Sequence, residues 1–334
     1  MAPQLPASLL SCLPIRLATL MSWLLFPCQG SVSRVTNSEP DEVWHMFLLA
    51  GQSNMAGRGS ISDRSPSTVA PPDKRIGVLG EDGAWKVPAQ HPLHHDKPDV
   101  AGVGPGLEFA RAIVDFLPVG EQHLGLIPAA FGGSEIARWM EDGDLFQAAV
   151  EQVRRGRAAG GVLSGILWHQ GESDCANETD ALAYEHRLRG VISSFRHELV
   201  DPNVPMILGE LGIQFLDLAD PLLTYAKLVN QAIVKTGSDA TVANVAVASS
   251  AGLEHNSDHL HFSVAAADVL GRRYAWKWLK LTGRLNVSLR ALVGNSLEPP
   301  LVDPSRRLDT PTEAGIAASR AASSSFLAGS STRT

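Results

Sequence analysis

The chain has 334 residues, 44% of them hydrophobic and 19% charged, which is too apolar for a disordered chain and enough for a sizeable core. Lys plus Arg number 28 against 35 Asp plus Glu, a net charge of −7 that leaves no electrostatic footprint for nucleic acid. With 3 cysteines there is no disulfide-dense scaffold and no Cys-rich metal site.

Residues 1–30 read as a signal peptide. Arg16 is the only basic residue ahead of an apolar run, Leu17 to Phe26. That run suits a signal-peptide core and falls short of the roughly 20 residues that span a bilayer. Cys28 and Gly30 flank a small-residue cleavage site before Ser31. A poorly ordered terminus or an organelle transit peptide is the competing reading. The expectation is secretion, with no membrane attachment after cleavage. Cleavage removes Cys12 and Cys28 and leaves Cys175 as the sole thiol. In a secreted chain the N-x-S/T triplets at Asn177 and Asn286 become glycosylation acceptors. Residues 304–334 are rich in Ala and Ser and are expected to be disordered. The folded part is residues 41–292, a single α/β domain.

Short apolar runs recur along it: Trp44–Ala50, Arg75–Leu79, Leu124–Pro128, Gly165–His169, Met206–Leu211 and Val242–Ala248. Each has the length of a strand, and most end in Gly or polar residues. Helical patterns lie between them, at Leu107–Phe116, Asp180–Leu199, Leu222–Val234 and Val264–Leu279. This alternation predicts a parallel sheet with helices on both faces. Ligands of such sheets bind beyond the carboxyl ends of the strands.

Four of those strand exits carry chemistry. Gly51-Gln52-Ser53-Asn54-Met55 exposes a hydroxyl and a free N–H, or is simply a turn with a capping Ser. It fits neither G-x-S-x-G nor G-x-G-x-x-G. Gly132-Gly133-Ser134 lets the backbone approach a ligand and aim an N–H at it, or is a plain turn. Trp168-His169-Gln170-Gly171-Glu172-Ser173-Asp174 offers a neutral donor in Gln170 and a carboxylate in Glu172, or is a solvated loop. In Asp258-His259-Leu260-His261 a carboxylate three residues before a His can fold back onto the imidazole, fixing its tautomer. Ordinary loop chemistry is the alternative there.

Taken together, GQSNM, GGS, WHQGESD and DHLH resemble the SGNH hydrolase superfamily. Within it they are similar to the branch of carbohydrate esterase family six and the sialic-acid acetylesterase-like proteins, which includes plant probable carbohydrate esterases. The resemblance covers about Trp44 to Leu279. It implies a three-layer α/β/α sandwich around a parallel, flavodoxin-like sheet. It also implies catalytic Ser53 as nucleophile, His261 as general base and Asp258 as its partner. The oxyanion hole is implied to be the N–H groups of Ser53 and Gly133 with the Gln170 side chain. Glu172 is implied to be a supporting carboxylate that assists Asp258 or replaces it. Position 259, small in related motifs, is His259 here.

The resemblance implies an esterase that removes O-acetyl groups from carbohydrate through an acyl-enzyme, with no cofactor and no metal. The expected substrate is acetylated xylan or another plant cell-wall polysaccharide, met in the cell wall space. Two alternatives remain: a catalytically silent carbohydrate-binding protein, and an esterase of small non-sugar acyl esters. His91, His94, His95 and Asp96 could hold zinc, but read more simply as a solvated loop near the cleft mouth. Trp85 and Trp139 are candidates for a sugar-stacking surface or for core packing.

Overall fold

The computed structural model describes residues 43–64, 70–214 and 216–285. The signal-peptide run, Cys12, Cys28, Asn286 and residues 304–334 lie outside them. Strand β1 (Trp44–Gly51) is at the centre of the fold. Strand geometry sends alternate side chains to opposite faces. Met46, Leu48 and Ala50 therefore enter one core and Phe47 and Leu49 the other, all fully buried. A strand buried on both faces must be apolar, which is why Met46 to Ala50 reads as an unbroken run, with the half-buried His45 ahead of it.

Six further strands follow: β2 (Ile76–Leu79), β3 (Trp85–Lys86), β4 (His123–Pro128), β5 (Gly161–His169), β6 (Met206–Gly209) and β7 (Val245–Ala248). They form one sheet in the order β3-β2-β4-β1-β5-β6-β7. Every pairing is parallel except that of β3 with β2. Helices α2 (Gly106–Ile113) and α6 (Val264–Leu281) cover one face, where the Phe47 ring meets Phe109 and Trp278 edge-on. Truncating such a ring to Ala removes about 3–5 kcal/mol. Helices α3 (Asp144–Ala158), α4 (Glu178–Glu198) and α5 (Ala226–Ser238) cover the other face. The architecture is the expected α/β/α sandwich.

Differences from the sequence reading are local. Helix α3 was not anticipated. It starts after Gly143 with no side-chain cap, so it lacks the usual entry signal. Helix α5 begins at Ala226 because Asp220 holds Leu222 and Leu223 in a turn. No helix among the described residues is long and apolar enough to cross a membrane.

The chain builds β2 and β4 on one side of β1, then crosses to β5 on the other. The reversal opens a crevice at the carboxyl end of β1. Ser53 emerges there.

Candidate active site

Gly51 makes the exit from β1 possible. Its φ is 124°, and a Cβ there would lie 2.1 Å from the His169 carbonyl oxygen. That carbonyl instead accepts the Gln52 N–H at 2.8 Å, pinning the end of β1 to the end of β5. Ser53 follows at once, opening the single-turn helix α1 (Ser53–Ala56). It is 7% exposed, at the floor of a cavity of about 880 Å³.

Asp258 and His261 reach Ser53 from the loop between β7 and α6. Asp258 Oδ1 accepts the N–H groups of Leu260 and His261, at 3.0 and 2.9 Å. Its Oδ2 accepts from His261 Nδ1 at 2.7 Å, and His261 Nε2 faces Ser53 Oγ at 2.9 Å. Burial raises the Asp258 carboxyl, but the bonds from the His261 backbone and ring outweigh it and hold it below its ordinary value. The ionised carboxylate assigns the ring proton to Nδ1 and leaves Nε2 as acceptor for the Ser53 hydroxyl. The loop passes through φ 53° at His259, a conformation that small residues adopt more readily. The His259 ring lies on that of His255, centroids 4.1 Å apart.

Gly133, at φ 75°, lines the cavity. Neither its N–H nor that of Ser53 has a protein acceptor among the described residues. Gln170 departs from expectation. It is fully buried and does not line the cavity. Its Nε2 donates to Asp174 Oδ2 at 2.5 Å, Ser134 O at 3.0 Å and Gln52 Oε1 at 3.3 Å. Two amide hydrogens divided among three acceptors leave none for an oxyanion. Burial raises the carboxyl of Asp174 to about 6.

The cavity amide is Gln52, which the sequence reading passed over. Its Oε1 also faces the N–H groups of Gly171 and Ser173, at 3.3 and 3.4 Å. That fixes the oxygen and leaves Nε2 without a protein partner among the described residues. The available signal was position: Gln52 directly precedes Ser53 at the same strand exit.

Glu172 is buried in the cavity wall and makes no bond to His261 among the described residues. Its Oε1 accepts from Asn54 Nδ2 at 2.6 Å and lies 3.7 Å from His169 Nε2. Burial lowers the pKa of the His169 ring.

Other candidates lie elsewhere. Trp139 is in the core, donating to Ser134 Oγ at 3.1 Å, and Trp85 stacks on Trp44 at the sheet edge. Among the described residues no aromatic ring except His261 lines the cavity; its exposed lining mixes the aliphatic Ile61, Val100 and Leu222 with the charged Lys97 and Asp99. The His91–Asp96 stretch is not a solvated loop. His94 is buried, and burial lowers His91 to about 3 and His94 to about 4. Among the described residues no group of three ligating side chains gathers for a metal. Cys175 is a buried free thiol, and burial pushes its pKa up. Asn177 is exposed and caps α4, accepting the Asp180 N–H at 2.8 Å.

Comparison with known proteins shows the family and the fold. The family profile described as "Carbohydrate esterase, sialic acid-specific acetylesterase" matches residues 43–280. A probable carbohydrate esterase of Arabidopsis thaliana is 32% identical over 248 residues, covering 70% of this chain and 90% of that protein. The crystal structure of that Arabidopsis thaliana protein superposes with a TM-score of 0.61, over 72% of this chain and 99% of the other. Two more distant structures share the fold. NanS is 18% identical, with a TM-score of 0.55 over 74% of this chain and 99% of its own. A carbohydrate acetylesterase of Xanthomonas citri is 20% identical, with a TM-score of 0.53 over 73% of this chain and 58% of its own.

Proposed function

Since the chain belongs to the carbohydrate esterase, sialic acid-specific acetylesterase family and is a carboxylic ester hydrolase, we propose that it removes O-acetyl groups from carbohydrate by serine catalysis at Ser53. The observation that carries this reading is the continuous hydrogen-bonded line from Asp258 through His261 to Ser53, opening on the cavity. In it, Ser53 Oγ attacks the acetyl carbonyl while His261 Nε2 takes its proton. The N–H groups of Ser53 and Gly133 and the Gln52 side-chain amide hold the developing oxyanion. Each such donor is worth about 2.7–4 kcal/mol of barrier. Asp258 stabilises the imidazolium. The sugar oxygen departs with the proton from His261, and water releases acetate by the same steps reversed.

The proposed substrate is acetylated xylan or another plant cell-wall polysaccharide, met after secretion into the wall space. The apolar run Leu17–Phe26 and the similarity to a plant carbohydrate esterase support this. N-terminal sequencing of the native protein tests secretion, and an intact Met1 on a cytosolic protein refutes it. Hydrolysis of small non-sugar acyl esters is favoured by one observation, a cavity that no aromatic side chain other than His261 lines among the described residues. Acetate release across acetylated xylan, pectin, mannan and sialic acid, beside acetyl and butyryl esters of simple alcohols, separates the two. Turnover confined to the simple esters overturns the carbohydrate reading.

A further inference from the structure

The loop from Phe131 to Ser134 accounts for its amides one by one. Phe131 N–H donates to Gly51 O at 2.9 Å, and Ser134 N–H to Phe131 O at 3.3 Å. Gly132 N–H donates to the side chain of Asp96, with 2.7 Å to Oδ2. Gly133 N–H is the one left over. Asp96 is itself held by a fork from Arg58, 2.6 Å from Nη2 to Oδ2 and 3.4 Å from Nη1 to Oδ1. Both side chains are almost fully enclosed, at 7% and 3% exposure for Arg58 and Asp96. The pair fills the space beside Gly132: a Cβ there would meet Arg58 Nη2 at 2.3 Å and Asp96 Oδ2 at 3.0 Å. Arg58 also ties in the other two loops. It follows α1 by two positions, Nη1 donates to Gly57 O at 2.7 Å, and its carbonyl accepts from Asn256 Nδ2 at 3.0 Å. Asn256 N–H in turn bonds to His261 O at 2.7 Å.

We infer that Asp96, seated by Arg58, is a positioning residue for hydrolysis: it captures the Gly132 N–H and so leaves the Gly133 N–H aimed at the developing oxyanion. The inference rests on the proposed serine mechanism. The Gly132 and Gly133 N–H groups lie in successive peptide planes joined by the φ and ψ of Gly132; with the turn already closed by Ser134 N–H on Phe131 O, holding the Gly132 N–H restricts those two angles and so the direction of the Gly133 N–H. A donor contributes to the rate only when it points at the oxygen in its charged, tetrahedral position. Asp96 does not line the cavity, so it acts through Gly133 and makes no contact with substrate.

The test is steady-state kinetics on one acetyl ester with Asp96→Ala, Asp96→Asn and Ser53→Ala, each checked by circular dichroism and thermal melting. Asp96→Asn keeps a carbonyl acceptor for the Gly132 N–H while losing the charge. The expected order of kcat is parent, then Asp96→Asn, then Asp96→Ala. The last should fall by about tenfold to a hundredfold, with KM within about threefold. The pH at which activity falls on the acid side should stay where it is in the parent, because His261 and Asp258 are untouched. Asp96→Ala with parental kcat overturns the inference, as does a loss carried by KM alone. If Asp96→Ala does not fold, Asp96→Asn decides: at least a threefold loss of kcat at constant KM supports the inference, and less overturns it. Ser53→Ala separates the two levels. If it is inactive while the Asp96 variants are normal, only the positioning role fails. If it is active, the serine mechanism fails.

Discussion

Among the described residues Glu172 reaches the loop of His261 through Asn54. Asn54 donates to Glu172 at 2.6 Å and to Leu260 O at 3.3 Å, and its Oδ1 accepts the Phe262 N–H at 3.1 Å. Leu260 and Phe262 flank His261, so one amide next to the nucleophile grips the backbone on both sides of the imidazole. Glu172 decides which way that amide faces. Asp258 touches the ring itself.

The two carboxylates should therefore respond differently. Asp258→Asn favours the wrong tautomer and leaves the imidazolium uncompensated, a loss of about ten-thousandfold in kcat in the Ser–His–Asp worked example. Glu172→Gln still offers an oxygen to Asn54, and its loss should stay within about tenfold. Turnover of both variants on one acetyl ester, with circular dichroism, gives the comparison. A greater loss for Glu172→Gln makes Glu172 the carboxylate that orients the base.

Ser53→Ala should keep the fold and lower kcat by several powers of ten. A serine-directed phosphonate should add its mass to the parent and not to the variant. A folded Ser53→Ala protein with near-parental turnover refutes the nucleophile assignment.

Gln52→Glu retains the oxygen that Gly171 and Ser173 use but replaces the cavity-facing NH2 with a carboxylate oxygen. The expected loss is at least about a hundredfold in kcat. Gln170→Leu strands Asp174 and the Ser134 carbonyl, so its effect should be on unfolding free energy, about 1–3 kcal/mol for each stranded group. The reverse pattern, with Gln170 controlling kcat and Gln52 neutral, restores Gln170 as the third donor.

Acid should destabilise the fold through His91 and His94. Burial holds both neutral, with pKa values of about 3 and about 4, below the ordinary imidazole value of about 6.5. Below 6.5 the unfolded chain gains protons that the native one does not. This stability is therefore complete above 6.5 and is lost as pH falls toward the folded values. At pH 5 the loss is about 2 kcal/mol for each ring. Asp174 acts with the opposite sign: raised to about 6, it favours the fold below 3.8 and loses that contribution as pH rises through 6. Urea unfolding at pH 7 and pH 5 measures the sum. His91→Leu should shrink the pH 5 deficit by about 2 kcal/mol; an unchanged deficit excludes His91 as its source.

The strand exits were legible because a buried strand that ends in polar residues contradicts itself unless those residues face a site. Ser53, Asp258 and His261 stood out for that reason, and Asp258 also because three residues of loop bring it back to the ring. The surroundings of Gln170 were not legible because the motif shows residue types and not what packs around them: Asp174, four positions later, takes its amide. The two tryptophans stayed open between two readings for a similar reason. An indole suits a sugar face and a core equally well, and Trp139 is wholly enclosed. The role of Asp96 was hidden because its partners Arg58 and Gly132 are distant in the chain and meet only through the fold.

Ser53 and His261 stand 208 positions apart. Ser53 is among the first residues of the folded part to be synthesised, and His261 is among the last. Helix α6, which begins three residues beyond His261, packs with α2 in one core, so the loop that carries His261 is held at its far end by that contact. A chain stopped short of Asp258 contains all seven strands and still lacks both the imidazole of His261 and its carboxylate partner. During refolding, ester hydrolysis should thus lag behind the recovery of secondary structure, and its onset times the arrival of the carboxy-terminal segment. The enzyme is armed last, by the same step that completes it.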